Sequence, residues 1–335
     1  MREGFEMVVG QRAVVTAAGQ VGLESFDPPP PRAGQVLLRA LTTLISPGTE
    51  RAFFLGLDNA DATYPLYPGY SFVGTVEASG AEVTGLQVGD RVVCPAQHAS
   101  HTLVDARVCL PVSPELPAEE AVFFNLLAIA MQGVRKARIE LGESVAVLGA
   151  GVVGVLAMRL AQLSGGLPVI GIDLDAQRLA LARRIGADDI LVSSDGLVDD
   201  LRALLGSAGP NVVIEATGAS PLVVTAFQLA AEKGRVVLLG STRGDTERVN
   251  FYRDVHRKGL HIIGAHEITR PRHENSPGYW TQISEHKVCL ELLARRRVDV
   301  APLITHRYNW LEFPNAYAHL AEWDKRAQGI LIEWT

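Results

Sequence analysis

Three glycines spaced as Gly149-Ala-Gly151-Val-Val-Gly154 follow an apolar run, Val145–Leu148, and open a second apolar stretch, Val152–Leu163. That spacing is what a pyrophosphate-binding turn needs. The first glycine makes the turn, the second lets backbone approach phosphate, and the third lets the following helix pack on the strand. Gly149, Gly151, Val152, Val153 and Gly154 are therefore the expected cofactor-contacting residues. The next apolar run, Leu167–Ile172, closes on Asp173, an acid placed to accept hydrogen bonds from ribose hydroxyls and to repel a 2′-phosphate. The expected ligand is NAD. Arg178 either packs on the adenine or is a solvated helix charge. Thr217 and the Leu239-Gly240-Ser241 stretch follow strand ends at the edge where such sheets bind ligands.

Histidine is the usual proton carrier near neutral pH. Of nine histidines, His98 and His101 follow the strand Asp90–Cys94, and His266 ends the last strand of the alternating region. These three are the proton-transfer candidates; His256, His261, His273, His286, His306 and His319 read as structural or surface. Cys94, Cys109 and Cys289 lie far apart with no CxxC pattern, so they read as reduced thiols, neither a disulfide frame nor a metal cluster.

The elements that must position these residues divide the chain. At 335 residues it exceeds one ordinary core, so two domains are expected. Residues 1–120 are short β-rich runs, such as Gln35–Ala40 and Phe72–Ala78, broken by Pro28–Pro31, Pro47-Gly48, Pro68-Gly69 and Gly89-Asp90. That texture predicts a small barrel or sandwich. A buried helix is expected over Ala118–Gly133. Helices then alternate with strands: Gln177–Arg184, ending at a left-handed Gly186, Ile190–Val192, Leu197–Leu205, Asn211–Glu215, Pro221–Ala231, Gly234–Gly240 and Gly259–Ala265. Such alternation implies a doubly wound parallel sheet over 121–269, so the fold class is α/β. The tail, 270–335, holds one long helix, Trp280–Arg296, and is assigned to the first domain.

Composition excludes several partners. Hydrophobic residues make up 47% and charged residues 20%, and the net charge of −6 comes with no basic run, which argues against nucleic acid or an anionic membrane. Nothing in the first residues resembles a signal peptide, and no apolar stretch is long enough to span a bilayer, so a cytoplasmic location is expected.

Four phrases in order, Gly85-Leu-Gln-Val-Gly-Asp-Arg-Val92, Leu141-Gly-Glu-Ser-Val-Ala-Val-Leu-Gly-Ala-Gly151, Val213-Ile-Glu-Ala-Thr-Gly218 and Lys233-Gly-Arg-Val-Val-Leu-Leu-Gly240, resemble the medium-chain dehydrogenase/reductase superfamily, alcohol dehydrogenase-like. The likeness covers essentially the whole chain. It implies a GroES-like β-rich catalytic domain beside a Rossmann domain, hydride transfer between a nicotinamide and a carbonyl or alcohol, and a homodimer or homotetramer paired through the strand Gly259–Ala265. Zinc-dependent members carry Cys-Gly-Thr-Asp, Gly-His-Glu and a Glu before Pro-Leu-Ala. This chain has Pro47-Gly-Thr-Glu50, Gly69-Tyr-Ser71 and Asn125 before Leu126. Catalytic zinc takes about three N, S or O ligands, so no metal is expected. The Ser46–Glu50 and Pro68–Tyr70 phrases resemble a zinc-free branch that includes bacteriochlorophyllide hydroxyethyl and sugar or cyclitol dehydrogenases.

Without a metal, side chains must move the alcohol proton. By the resemblance Thr49 is the relaying hydroxyl, and Glu50, Tyr70 and Asn125 face the former metal site. Glu50 is read as a base, a sugar-hydroxyl acceptor, or the partner of Arg51 or Arg91. The leading expectation is a zinc-independent, NAD-dependent dehydrogenase of a secondary alcohol, a sugar or cyclitol. The alternatives are an NADPH-dependent quinone or enone reductase and a dinucleotide-binding protein without catalysis.

Overall fold

The computed structural model describes residues 9–322 and 326–335. It divides into two compact units, Met1–Asn125 with Ile304–Thr335, and Leu126–Leu303. Residues 270–303, assigned from sequence to the first domain, thus lie with the second. Side-chain pairing explains this. The Arg159 side chain donates to the Arg297 carbonyl at 2.8 Å, and the Arg135 guanidinium stacks 3.4 Å from the Trp280 ring.

The first unit is built on a seven-stranded sheet. Its longest strand, Gln35–Ile45, is buried along most of its length because its run of aliphatic residues faces apolar neighbours on both sides. Phe72–Ser79 and His101–Asp105 pair with it antiparallel, and Arg91–Cys94 pairs in turn with Phe72–Ser79. The chain's end completes the sheet: Gly329–Glu333 pairs antiparallel with Gln35–Ile45 and parallel with Ile304–Asn309. Phe54, Phe72, Phe313, Tyr317 and Ile330 form the centre of the core. The helix Pro47–Leu55 starts with proline at its first position, where the missing N–H costs nothing, and ends on left-handed Gly56.

The second unit is a six-stranded parallel sheet. In space its strands run Asp189–Val192, Val169–Asp173, Val145–Leu148, Val212–Glu215, Arg235–Leu238 and His261–Gly264, the doubly wound order 3-2-1-4-5-6. The helix Val152–Leu163 spans its expected range.

Two local expectations need correction. The helix expected over Ala118–Gly133 is two helices, Ala118–Ala121 and Phe124–Ala137. Gly186 closes the helix Ala176–Ile185 at φ −174°, not left-handed. A side chain there would place Cβ 2.5 Å from Arg159 Cα, so close helix packing, and not a turn, calls for glycine. Among the described residues no helix is long and apolar enough to cross a membrane.

Candidate active site

Parallel registry places the candidate residues of the second unit. Leu148 lies level with Ile172 and Glu215, and Glu215 with Leu238. Gly149, Asp173, Ala216 and Leu239 therefore leave the sheet together along its carboxyl edge. Gly149 has φ 97°, open to glycine at little cost. A Cβ on Gly154 would sit 1.9 Å from the Gly149 carbonyl oxygen, so the helix can approach this turn only with glycine there. Gly151 caps the helix Val152–Leu163 without a side chain, leaving its first N–H groups as an anion site. Val152 is buried and Val153 half-buried in that first turn. Asp173 Oδ2 accepts the Ala150 N–H at 2.7 Å, and Oδ1 accepts that of Asp175 at 2.9 Å. The acid is thereby fixed beside the glycine turn. Arg178 is half-buried, its backbone N–H bonded to Asp175 Oδ1. Leu239 is buried, Gly240 half-buried and Ser241 exposed at the same edge. A glycine cradle that a Cβ would fill, a helix N-terminus and a fixed acid fit a dinucleotide.

The first unit gathers a buried polar network. Glu50 is 2% exposed in the first turn of Pro47–Leu55. Its Oε1 accepts the Ser46 N–H at 2.8 Å, and its Oε2 faces His98 Nε2 at 2.9 Å and accepts the Tyr317 hydroxyl at 2.5 Å. A carboxylate only accepts, so His98 carries a proton on Nε2. His98 Nδ1 lies 2.7 Å from Thr43 Oγ1, which accepts the Trp334 indole N–H at 3.0 Å. With neutral His98, Thr43 donates to Nδ1, and a continuous chain runs from Trp334 to Glu50. Burial, then the Glu50 charge, pushes the Tyr317 phenol well above its ordinary value. Asn125, 2% exposed, donates to the Tyr70 carbonyl at 2.8 Å. Thr49 and Tyr70 are half-buried.

Several sequence expectations change here. Glu50 has all its close contacts filled by donors, which suits a positioning role and leaves little for a substrate. Neither arginine is its partner: Arg51 donates to the Leu320 carbonyl, and Arg91 to those of Ser113 and Leu116. His101 is not part of the network. It lies 3.4 Å from Glu77 and bonds Ser100 Oγ, and burial lowers its pKa. His266 belongs to the other unit, exposed, its Nδ1 accepting the Ile268 N–H that starts a short 3₁₀ turn. The cysteines are free thiols, as read: all three are buried, and Cys94 and Cys109 come next in register across antiparallel strands. Tyr317, Thr43 and Trp334 were not singled out from sequence. The Thr42-Thr43 pair inside a mostly aliphatic strand is the visible signal for one of them.

Zinc does not fit the donor set. Among the described residues no three His, Cys, Asp or Glu side chains are grouped to hold an ion. Proline at position 47 supplies no ligand, and Asn125 and Tyr70 are poor neutral ones. Glu50 and His98 are spent on each other.

Two family profiles match: zinc-binding dehydrogenase over residues 152–285 and the alcohol dehydrogenase GroES-like domain over 32–114. The chain belongs to the alcohol dehydrogenase-like, medium-chain dehydrogenase/reductase superfamily. It is an oxidoreductase of the nicotinamide dinucleotide-dependent type. The D-guloside 3-dehydrogenase of Shigella flexneri is 29% identical over 257 residues, 74% of this chain and 72% of that protein. Human sorbitol dehydrogenase is 26% identical over 336 residues, 88% of each. The crystal structure of Escherichia coli galactitol-1-phosphate dehydrogenase superposes with a TM-score of 0.84 at 22% identity, over 97% of this chain and 100% of that one, which establishes the fold. Solved neighbours hold NADP in one case (Sinorhizobium meliloti, 22% identical) and NADH in another (E. coli CFT073, 19%), so fold alone does not choose the cofactor.

Proposed function

We propose that this member of the superfamily transfers hydride between NAD and a secondary hydroxyl of a sugar or cyclitol, and that it does so without zinc. The dehydrogenases it matches act, by name, on D-guloside and sorbitol, which supports a hydroxyl-rich substrate. Asp173, whose charge opposes a 2′-phosphate, supports NAD. The observation that carries the metal-free reading is the pairing of Glu50 with His98 and Tyr317. Side chains that would otherwise be free to ligate an ion are bonded to one another.

When bound, the nicotinamide supplies the hydride acceptor. The chain's own task is to handle the hydroxyl proton as hydride leaves the carbon. Tyr70 and Thr49 are the half-buried hydroxyl-bearing residues of this region, and they are the groups we assign to that proton. In ketone reduction the Tyr70 phenol donates to the carbonyl oxygen. Behind them Glu50 holds Tyr317 and His98 in fixed orientation, and Asn125 holds the Tyr70 backbone. Gly151 to Val153 and Asp173 hold the dinucleotide. The test is NAD reduction across sugars, cyclitols and simple alcohols, repeated with Tyr70→Phe and Thr49→Val. We expect polyhydroxylated substrates to be preferred and both variants to lose turnover. Full activity in the double variant would refute the assignment.

A further inference from the structure

The buried acid Glu215 has no part in the reading above. It is fully buried at the carboxyl end of Val212–Glu215, the strand next to the one that feeds the glycine turn. Its Oε1 accepts the Thr217 N–H at 2.7 Å, the Gly218 N–H at 3.1 Å and the Thr217 hydroxyl. Its backbone carbonyl accepts the N–H groups of Leu239 and Gly240, at 2.9 and 2.8 Å. Thr217, so held, abuts the dinucleotide turn: a Cβ on Gly149 would lie 2.8 Å from Thr217 Cγ2. Gly218 in turn accepts the Arg243 N–H at 3.0 Å, and a Cβ on it would sit 2.6 Å from the Ser241 carbonyl oxygen. One residue therefore ties together three carboxyl-edge segments, 149–151, 217–219 and 239–243.

We propose that Glu215 is a positioning residue for the dinucleotide: its carboxylate fixes the 217–218 loop, which packs against the glycine turn and the 239–243 segment that receive the cofactor. The inference rests on the dinucleotide reading of this edge and adds to it a residue that itself touches no cofactor. The groups found to bear on the carboxylate are neutral, namely the Thr217 hydroxyl and N–H and the Gly218 N–H. Its oxygens meet donors only, so the ionised form is the one that holds the loops. Burial raises its pKa, the donors of Thr217 and Gly218 opposing. Protonation puts a hydrogen where an acceptor is needed, so grip on the cofactor must weaken as pH falls through that raised value.

The experiment is NADH binding by fluorescence titration of the full chain from pH 5 to 8, with Glu215→Gln and Thr217→Val, each checked by thermal melting. Glu215→Gln keeps the volume, but whichever way its amide turns, an NH₂ donor replaces one of the two oxygens that face the Gly218 N–H. We expect NADH to bind it about tenfold more weakly at pH 7.5, the loss of roughly one hydrogen bond to an ionised group, with little change in affinity with pH. Wild-type affinity should fall toward acid pH. Thr217→Val, which removes a donor but keeps the contact with Gly149, should lie between. A merely structural role would lower melting temperature without removing the pH dependence. Glu215→Gln and Thr217→Val binding NADH like wild type at every pH would overturn the proposal. Wild-type protein that binds no NADH at any pH would instead overturn the dinucleotide reading, and this inference with it.

Discussion

Truncating Glu50 separates a positioning role from a catalytic one. In Glu50→Ala three buried donors lose their acceptor: the Ser46 N–H, His98 Nε2–H and the Tyr317 hydroxyl. An orphaned buried donor costs about 1–3 kcal/mol. Some are rescued by water entering the space left by the side chain, so a total of about 4 kcal/mol is the working figure. Glu50→Gln is milder. Its amide oxygen can serve the two groups on Oε2 while its NH₂ faces the Ser46 N–H, a single mismatch worth about 1–3 kcal/mol. A unit of this size shifts its melting point by about 2–4 °C per kcal/mol. Glu50→Ala should thus melt on the order of 10 °C lower, and Glu50→Gln a few degrees lower. Calorimetry reads both, and turnover of the folded variants is measured alongside. Wild-type stability with abolished turnover would refute the reasoning, because Glu50 would then be a base facing substrate and not a buried support.

Other predictions follow from single observations. His286 is 1% exposed, and burial, then the Arg270 charge, pushes its pKa down to about 3. Its ordinary value is near 6.5, so its contribution to stability is complete above about pH 6.5 and drains away as pH falls toward 3. The slope is about 1.4 kcal/mol per unit, and His286→Leu should flatten the acid limb of a stability–pH curve; an unchanged limb would contradict it. Gly154→Ala must displace the Gly149 carbonyl oxygen from 1.9 Å, so NADH affinity should fall by at least about tenfold by fluorescence titration, while the first unit still folds. Among the described residues the strand His261–Gly264 pairs on one side only, and its Ile262 is 41% exposed. If a second copy covers this edge, Ile262→Lys should shift the protein toward monomer in light scattering coupled to size exclusion.

Much of the second unit was readable because its signals are local. Apolar runs end in glycines or an acid, and the helices between them have the length that parallel crossovers need. Val152–Leu163 and Leu197–Leu205 fall where the sequence placed them. The first unit's site was not readable in the same way. Glu50 and His98 are 48 positions apart, and Tyr317 is 267 positions from Glu50, so pairing depends on the return of the chain's end to the first sheet. The position of Glu50 was legible, but its partners were not, and it is the partners that favour a supporting role over that of a base. The same holds for Cys94 and Cys109, whose adjacency appears only once strand registry is known. Gly186 shows the converse: the sequence marks the residue, but packing against Arg159, and not a turn, is what requires it.

The proposed reaction is hydride exchange with NAD in the absence of zinc. The direct measurement is metal content by mass spectrometry on the same purified protein whose NAD and NADP reduction rates are followed with a polyol panel, before and after chelation and after added zinc. The account predicts substoichiometric zinc, turnover with NAD well above NADP, and rates that chelator and zinc leave unchanged. Activity that appears only when one zinc per chain is bound, or a clear preference for NADP, would contradict it.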